Sequence, residues 1–191
     1  MNVVNVLKSS VVAGICIGIA GIGFLATRDI IGSVLFAFAL LSVVAYKLYL
    51  YTGTAGFIKK GELPLLLLVF AGNIAGCLLM SLLARLSPMP LQESAQNILE
   101  GRLAMGPLQG GLLSIACGFI MTTSVTFARK GNNLPLLFGV PLFITCGYPH
   151  CMADAFFYLC VPLDFWMANL GAILGFYVCI VLGNCVGCNF Y

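Results

Sequence analysis

The chain has 191 residues, 61% of them hydrophobic and only 8% charged, against about a quarter charged in ordinary soluble domains. A water-facing surface cannot be built from that composition. The net charge of +3 is scattered, which leaves no basic stretch to track a phosphate backbone and excludes a nucleic-acid-binding role.

Nine Lys and Arg and six Asp and Glu punctuate long apolar runs. No charge falls between Lys8 and Arg28, Asp29 and Lys47, Glu62 and Arg85, Arg102 and Arg129, or Lys130 and Asp154, nor after Asp164. A helix needs roughly 17 to 25 residues to cross the hydrocarbon, so these runs predict an all-α membrane protein with about six transmembrane helices, at 10–26, 30–51, 63–86, 107–127, 134–159 and 165–188.

The first span is glycine-rich and lacks a small-residue cleavage site followed by polar sequence, so it reads as a retained helix and not a signal peptide. The second reaches Leu50-Tyr51-Thr52-Gly53-Thr54-Ala55-Gly56, where glycines and hydroxyls weaken a helix. The third carries Gly72-Asn73-Ile74-Ala75-Gly76-Cys77, and the polar stretch 92–100 separates it from the fourth. The fifth contains Cys146-Gly147-Tyr148-Pro149-His150, where proline removes an amide donor. The sixth ends on Gly183-Asn184-Cys185-Val186-Gly187-Cys188, an echo of the motif in the third.

Helices 2 and 5 are therefore expected to be broken. Irregular backbone at membrane depth is tolerated where it is packed in protein or lines a water-filled cavity, so two breaks point to a pathway. With three spans per half, the second half enters the membrane from the opposite side. The expectation is an inverted repeat, about 8–87 and 103–191, within a single domain over 1–191. The plainer account of the echo is that small residues are common where membrane helices pack closely. Basic residues orient the chain: Lys8, Lys59, Lys60, Arg129 and Lys130 fall on one side and Arg28, Arg85 and Arg102 on the other, which makes both termini cytoplasmic.

Ionisable groups inside a membrane are functional-site hypotheses by default, and His150, Asp154 and Lys47 stand out. The reference pKa of histidine, ~6.5, lies near neutrality. His150 can exchange a proton with a passing weak acid, or simply hydrogen-bond to the broken backbone; the residues leave both readings open. Asp154 follows by four positions, close enough on one helical face to orient the imidazole, and can equally pair with Lys47, which otherwise snorkels to the interface. Arg102 is suited to attracting an anion or to a plain loop position. Tyr51 and Tyr148, beside the breaks, either narrow a pore or pack. Cys185 and Cys188 form a CxxC, but the single histidine is far away in sequence, so no metal site or cofactor is expected and the thiols read as small hydrophobes.

These residues also carry a family resemblance. Gly147-Tyr148-Pro149-His150-Cys151-Met152-Ala153-Asp154-Ala155-Phe156 is similar to the G-F-E-H-S-V-A-N-M-F signature of the formate/nitrite transporters. Leu50-Tyr51-Thr52-Gly53-Thr54 resembles their L-F-T-G-N segment, Val12-Ala13-Gly14 their first-helix motif, and the two Gly-Asn motifs theirs in helices three and six. The resemblance implies an aquaporin-like protomer with its own pore, assembled as a homopentamer in the cell membrane. It implies a channel for formate, nitrite, hydrosulfide or short carboxylates rather than an enzyme. By position, His150 takes the place of the central-pore histidine and proton donor, Thr52 that of the threonine opposite it, and Tyr51 that of a constriction phenylalanine. Arg102, 16 positions before Gly118, takes that of a vestibule lysine. Pro149, Asp154, Tyr49, Arg102 and Gly118 depart from the family pattern, so the substrate does not carry over. Three rivals remain on the sequence: a channel for a small neutral solute such as water or ammonia, although paired Asn-Pro-Ala motifs are absent, a membrane thiol enzyme using Cys185 and Cys188 or Cys146 and Cys151, and a structural or subunit protein whose pore is closed.

Overall fold

The described residues, 2–59 and 61–190 of a computed structural model, form nine helices and no strand; Lys60, grouped above with the basic residues of one side, lies outside them. In order these are α1 (Val3–Thr27), α2 (Ile30–Ala45), α3 (Tyr51–Ala55), α4 (Leu63–Ala84), α5 (Leu91–Met105), α6 (Pro107–Arg129), α7 (Leu134–Thr145), α8 (Cys151–Cys160) and α9 (Leu163–Cys188). By length and composition α1, α4, α6 and α9 can each cross a membrane. The protein is an all-helical, multi-pass membrane protein.

α1 and α5 differ from the sequence reading, as does the end of α2. α1 starts well before Ser10 because Asn2 caps it, its Oδ1 accepting from Val4 N at 3.0 Å. The polar stretch at 92–100 lies inside α5, whose Leu91, Ala95 and Leu99 sit one turn apart and bury one stripe.

α1 packs chiefly on α4 and α6 on α9, with glycines at both contacts. A Cβ on Gly14 would strike the Asn73 backbone, and one on Gly118 would strike the carbonyl of Asn184 and the amide of Cys188. Without a hydrophobic drive between helices in lipid, such backbone-to-backbone contact is what holds them. Gly118→Ala is expected to destabilise the protein by about 1–3 kcal/mol, read as a lowered Tm of the detergent-solubilised protein.

α2 and α7 end alike. After Ala45 the chain turns through Tyr46 and Lys47, with Leu48 N donating to Val43 O at 2.8 Å; after Thr145 it turns through Cys146 and Gly147, with Tyr148 N donating to Phe143 O at 2.9 Å. This is a helix C-cap with one left-handed residue, φ 53° at Lys47 and 69° at Gly147. Extended backbone at Leu50 and His150 then leads into α3 and α8. The non-helical link in the first half thus lies at 46–50, upstream of the glycines, and Tyr51–Ala55 is helical. Lys47 bears a left-handed strain that Gly147 escapes. Lys47→Gly is expected to raise stability by about 1 kcal/mol, seen as a higher Tm with the fold unchanged.

Each link is stapled by one buried asparagine. Asn73 Nδ2 donates to Ser10 O (2.8 Å) and Tyr49 O (2.9 Å), and its Oδ1 accepts from Tyr51 N (2.8 Å). Asn184 Nδ2 donates to Ser114 O (2.7 Å) and Pro149 O (3.1 Å), and its Oδ1 accepts from Cys151 N (2.8 Å). The backbone groups released where α2 and α7 stop are satisfied by the two Gly-Asn motifs.

Candidate pore site

His150 is the N-cap of α8, and its Nδ1 accepts from Ala153 N at 3.2 Å. With Nδ1 used as an acceptor, the proton of a neutral ring resides on Nε2. Nε2 stands 3.1 Å from Thr52 Oγ1, so α8 supplies the ring and α3 the hydroxyl that receives its N–H. Phe143 stacks on the imidazole at 5.3 Å between centroids. Both members of the contact are buried.

Two cavities lie toward opposite ends of α2 and α7, and the smaller reaches this contact through His150. The larger, about 780 Å³, is lined by Leu40, Lys47, Leu50, Gly53, Glu62 and Arg129, with Asn133 from the start of α7. The smaller, about 360 Å³, is lined by Phe36, Arg102, Phe143, Tyr148, His150 and Asp154, with Phe24 from α1. Leu50 and Gly53, neighbours of Thr52 in the chain, line the larger cavity and His150 the smaller, while Phe36 and Leu40, one turn apart on α2, contribute one to each.

Asp154 is fully buried and neither orients the imidazole nor meets Lys47. Its backbone amide donates to His150 O at 2.8 Å in the first turn of α8, while its Oδ1 accepts from Arg102 Nε at 3.1 Å. Arg102, in the last turn of α5, also donates through Nη1 to Gly147 O, so it grips both the link and the helix after it. Asp154 Oδ2 and the Tyr158 hydroxyl have no hydrogen-bond partner. Lys47 lies in the wall of the other cavity, exposed. Tyr51 lines neither cavity: its hydroxyl donates to Val181 O at 3.4 Å and its ring meets Phe70 edge-on at 5.3 Å. The structure thus joins Thr52 with His150 and Arg102 with Asp154, places Tyr148 in the smaller cavity, and turns Tyr51 into packing.

Sequence reasoning passed over Phe36, Leu40 and Phe143, since nothing separates three apolar side chains from the dozens around them. It offers His150 and Lys47 as candidate partners of Asp154 and not Arg102, because the polar stretch 92–100 obscures the helix that carries Arg102. Among the described residues no group of three or more His, Cys, Asp or Glu can hold a metal. Cys188 Sγ donates to Thr52 O at 3.4 Å and to Gly118 O at 3.5 Å, and Cys77 Sγ to Gly14 O and Met152 O, both at 3.7 Å.

Over residues 1–191 the sequence matches the family described as Formate/nitrite transporter. The chain belongs to the formate/nitrite transporter family. This formate/nitrite transporter chain superposes on the structure described as "Pentameric formate channel with formate bound" with a TM-score of 0.81, at 22% identity, covering 97% of this chain and 92% of that one. It is similar also to a structure described as "FNT family ion channel", with a TM-score of 0.77 at 20% identity, covering 99% of this chain and 87% of that one. No curated protein matches the sequence significantly. Formate/nitrite transporters move solutes rather than transform them, which sets aside the thiol-enzyme reading.

Proposed function

We propose that the protein is a channel for small monovalent anions or their conjugate acids, of the formate, nitrite, hydrosulfide or short-carboxylate class. The observation that carries the reading is a buried Thr52 and His150 pair whose histidine lines one cavity while Leu50 and Gly53, beside Thr52 in the chain, line a second toward the other end of α2. In this reading α2 with α3, and α7 with α8, are two interrupted crossings, which makes six with the four long helices, and the matched asparagine staples are the mark of an inverted repeat. The side with Lys8, Lys59, Arg129 and Lys130 is cytoplasmic, as are both termini, and the membrane is the cell membrane. Apolar side chains left exposed along α9, such as Leu174, Val178 and Leu182, face lipid or a neighbouring protomer. The solved channel described as pentameric supports a homopentamer here.

In this reading Phe36, Leu40 and Phe143 form an apolar collar at the contact that offers nothing to replace an ion's water, and a bare charge inside a membrane costs several kcal/mol. His150 is the one group at the collar able to exchange a proton, so the permeant species crosses beside it as the acid. To give up a proton and remain neutral the ring first takes a second one at Nδ1, which requires the bond from Ala153 to open. The neutral-solute reading retains one observation, the Arg102 charge matched by Asp154. The test is flux of formate, nitrite, hydrosulfide and acetate, with internal pH followed, into liposomes carrying the purified protein. Selective anion uptake with an accompanying proton supports the channel; water or ammonia permeation without anion uptake overturns it.

A further inference from the structure

The smaller cavity is lined by one permanent cation and one carboxylate, and they are bound to each other. The lining residues from α1, α2 and α7 that face this pair are Phe24, Phe36, Phe143 and Ile144, and the other titratable groups there are Cys146, Tyr148 and His150. Nothing else in the wall carries a fixed charge. The larger cavity contrasts with it: Lys47 and Arg129 stand there against Glu62 alone, and Arg129 spends its guanidinium on Gly53 O at 2.9 Å and on the face of the Phe57 ring, not on a carboxylate.

We propose that Asp154 is a specificity-determining residue, a tethered carboxylate that occupies Arg102 and must be displaced or matched by any anion approaching His150 from that side. The proposal rests on the anion-channel reading. Three features support it. The Arg102 side chain is 15% exposed while that of Asp154 is 1% exposed, so of the two in the cavity wall the arginine is the more open to an incoming anion. The pair is joined by the single Nε to Oδ1 bond rather than the two-pronged fork of the strongest arginine–carboxylate pairs, and Oδ2 is left without a partner. Finally, a carboxylate is the chemical class of several proposed substrates, so Asp154 satisfies Arg102 as a bound anion would. The consequence is a cavity with no net charge to concentrate anions, where an unopposed Arg102 would focus a positive potential on a low-dielectric mouth.

The experiment compares the concentration dependence of formate and nitrite uptake into liposomes by the wild type, Asp154→Asn, Arg102→Gln and the double variant, with Tm recorded for each. Asparagine keeps the size of Asp154 and one oxygen for Arg102 while removing the charge. The half-saturating concentration is expected to fall by about tenfold or more in Asp154→Asn, the low end of what focused fields provide. It should rise in Arg102→Gln, which leaves a lone carboxylate, and return to within about twofold of the wild type in the double variant, whose wall again carries no net charge. A purely structural pair predicts the opposite, with both single variants impaired and the double no better. Anion uptake in the wild type that Asp154→Asn does not strengthen overturns this proposal alone. If Asp154→Asn does not fold, Arg102→Gln decides: uptake as good as that of the wild type overturns the proposal, and weakened half-saturation at unchanged Tm supports it. Absence of anion uptake in every variant overturns the channel reading and this proposal with it.

Discussion

Asn184→Leu is expected to destabilise the protein by about 4 kcal/mol and to abolish uptake in whatever fraction still folds. Leucine is close in volume, so the loss is one of hydrogen bonds rather than packing. It strands Cys151 N and Pro149 O, which the amide now serves at 2.8 and 3.1 Å, and removes the added bond to the mid-helix Ser114 O at 2.7 Å, where Asn184 is fully buried and water cannot take over. Each stranded group costs about 1–3 kcal/mol, and the link that presents His150 loses the tie from Asn184, leaving the bond from the Tyr177 hydroxyl to Cys151 O. Asn73→Leu should act the same way on the link that leads into α3. Thermal unfolding in detergent, beside liposome uptake, checks both. A variant as stable as the wild type would mean that the staples do not hold the links.

His150→Asn is expected to lower uptake by about a hundredfold or more while leaving Tm nearly unchanged. The choice of asparagine separates two roles of the histidine. As N-cap of α8 it accepts from Ala153 N, a duty asparagine performs at least as well, so the helix and its position should survive. What disappears is the ring that bonds Thr52 and exchanges a proton, and removal of a positioned acid or base typically loses 10²- to 10⁴-fold. If uptake persists in His150→Asn but no proton accompanies the anion, His150 governs coupling and not passage. If uptake and proton movement are both unchanged, the histidine is a cap and nothing more.

Composition and the spacing of charges were enough to read an all-helical, multi-pass membrane protein, because six uncharged stretches of membrane length leave no other way to satisfy the backbone. The signature around His150 was equally legible as a family resemblance. What sequence could not show is which side chains meet. Arg102 and Asp154 lie on elements distant in the chain, and recognising α5 would have required weighing Leu91, Ala95 and Leu99 as one stripe against the polar residues between them. The first helix end was misplaced because glycine was taken as the breaker, whereas the left-handed cap falls on Lys47, a residue with no such preference. For Tyr51 the sequence leaves constriction and packing both open, because its hydroxyl and ring turn toward α9 and α4 only through contacts distant in the chain.

The asparagine staples touch only backbone atoms at the links. Tyr49 and Pro149 each offer a carbonyl, Tyr51 and Cys151 each an amide, and no side chain of these four takes part in those bonds. A proline is harmless at 149 because the bond uses its oxygen and not the nitrogen it has closed off. At these four positions, proline at 51 and 151 aside, the side chain can change without loss of the staple, so a descendant of this chain can vary what it displays there while inheriting the same fold.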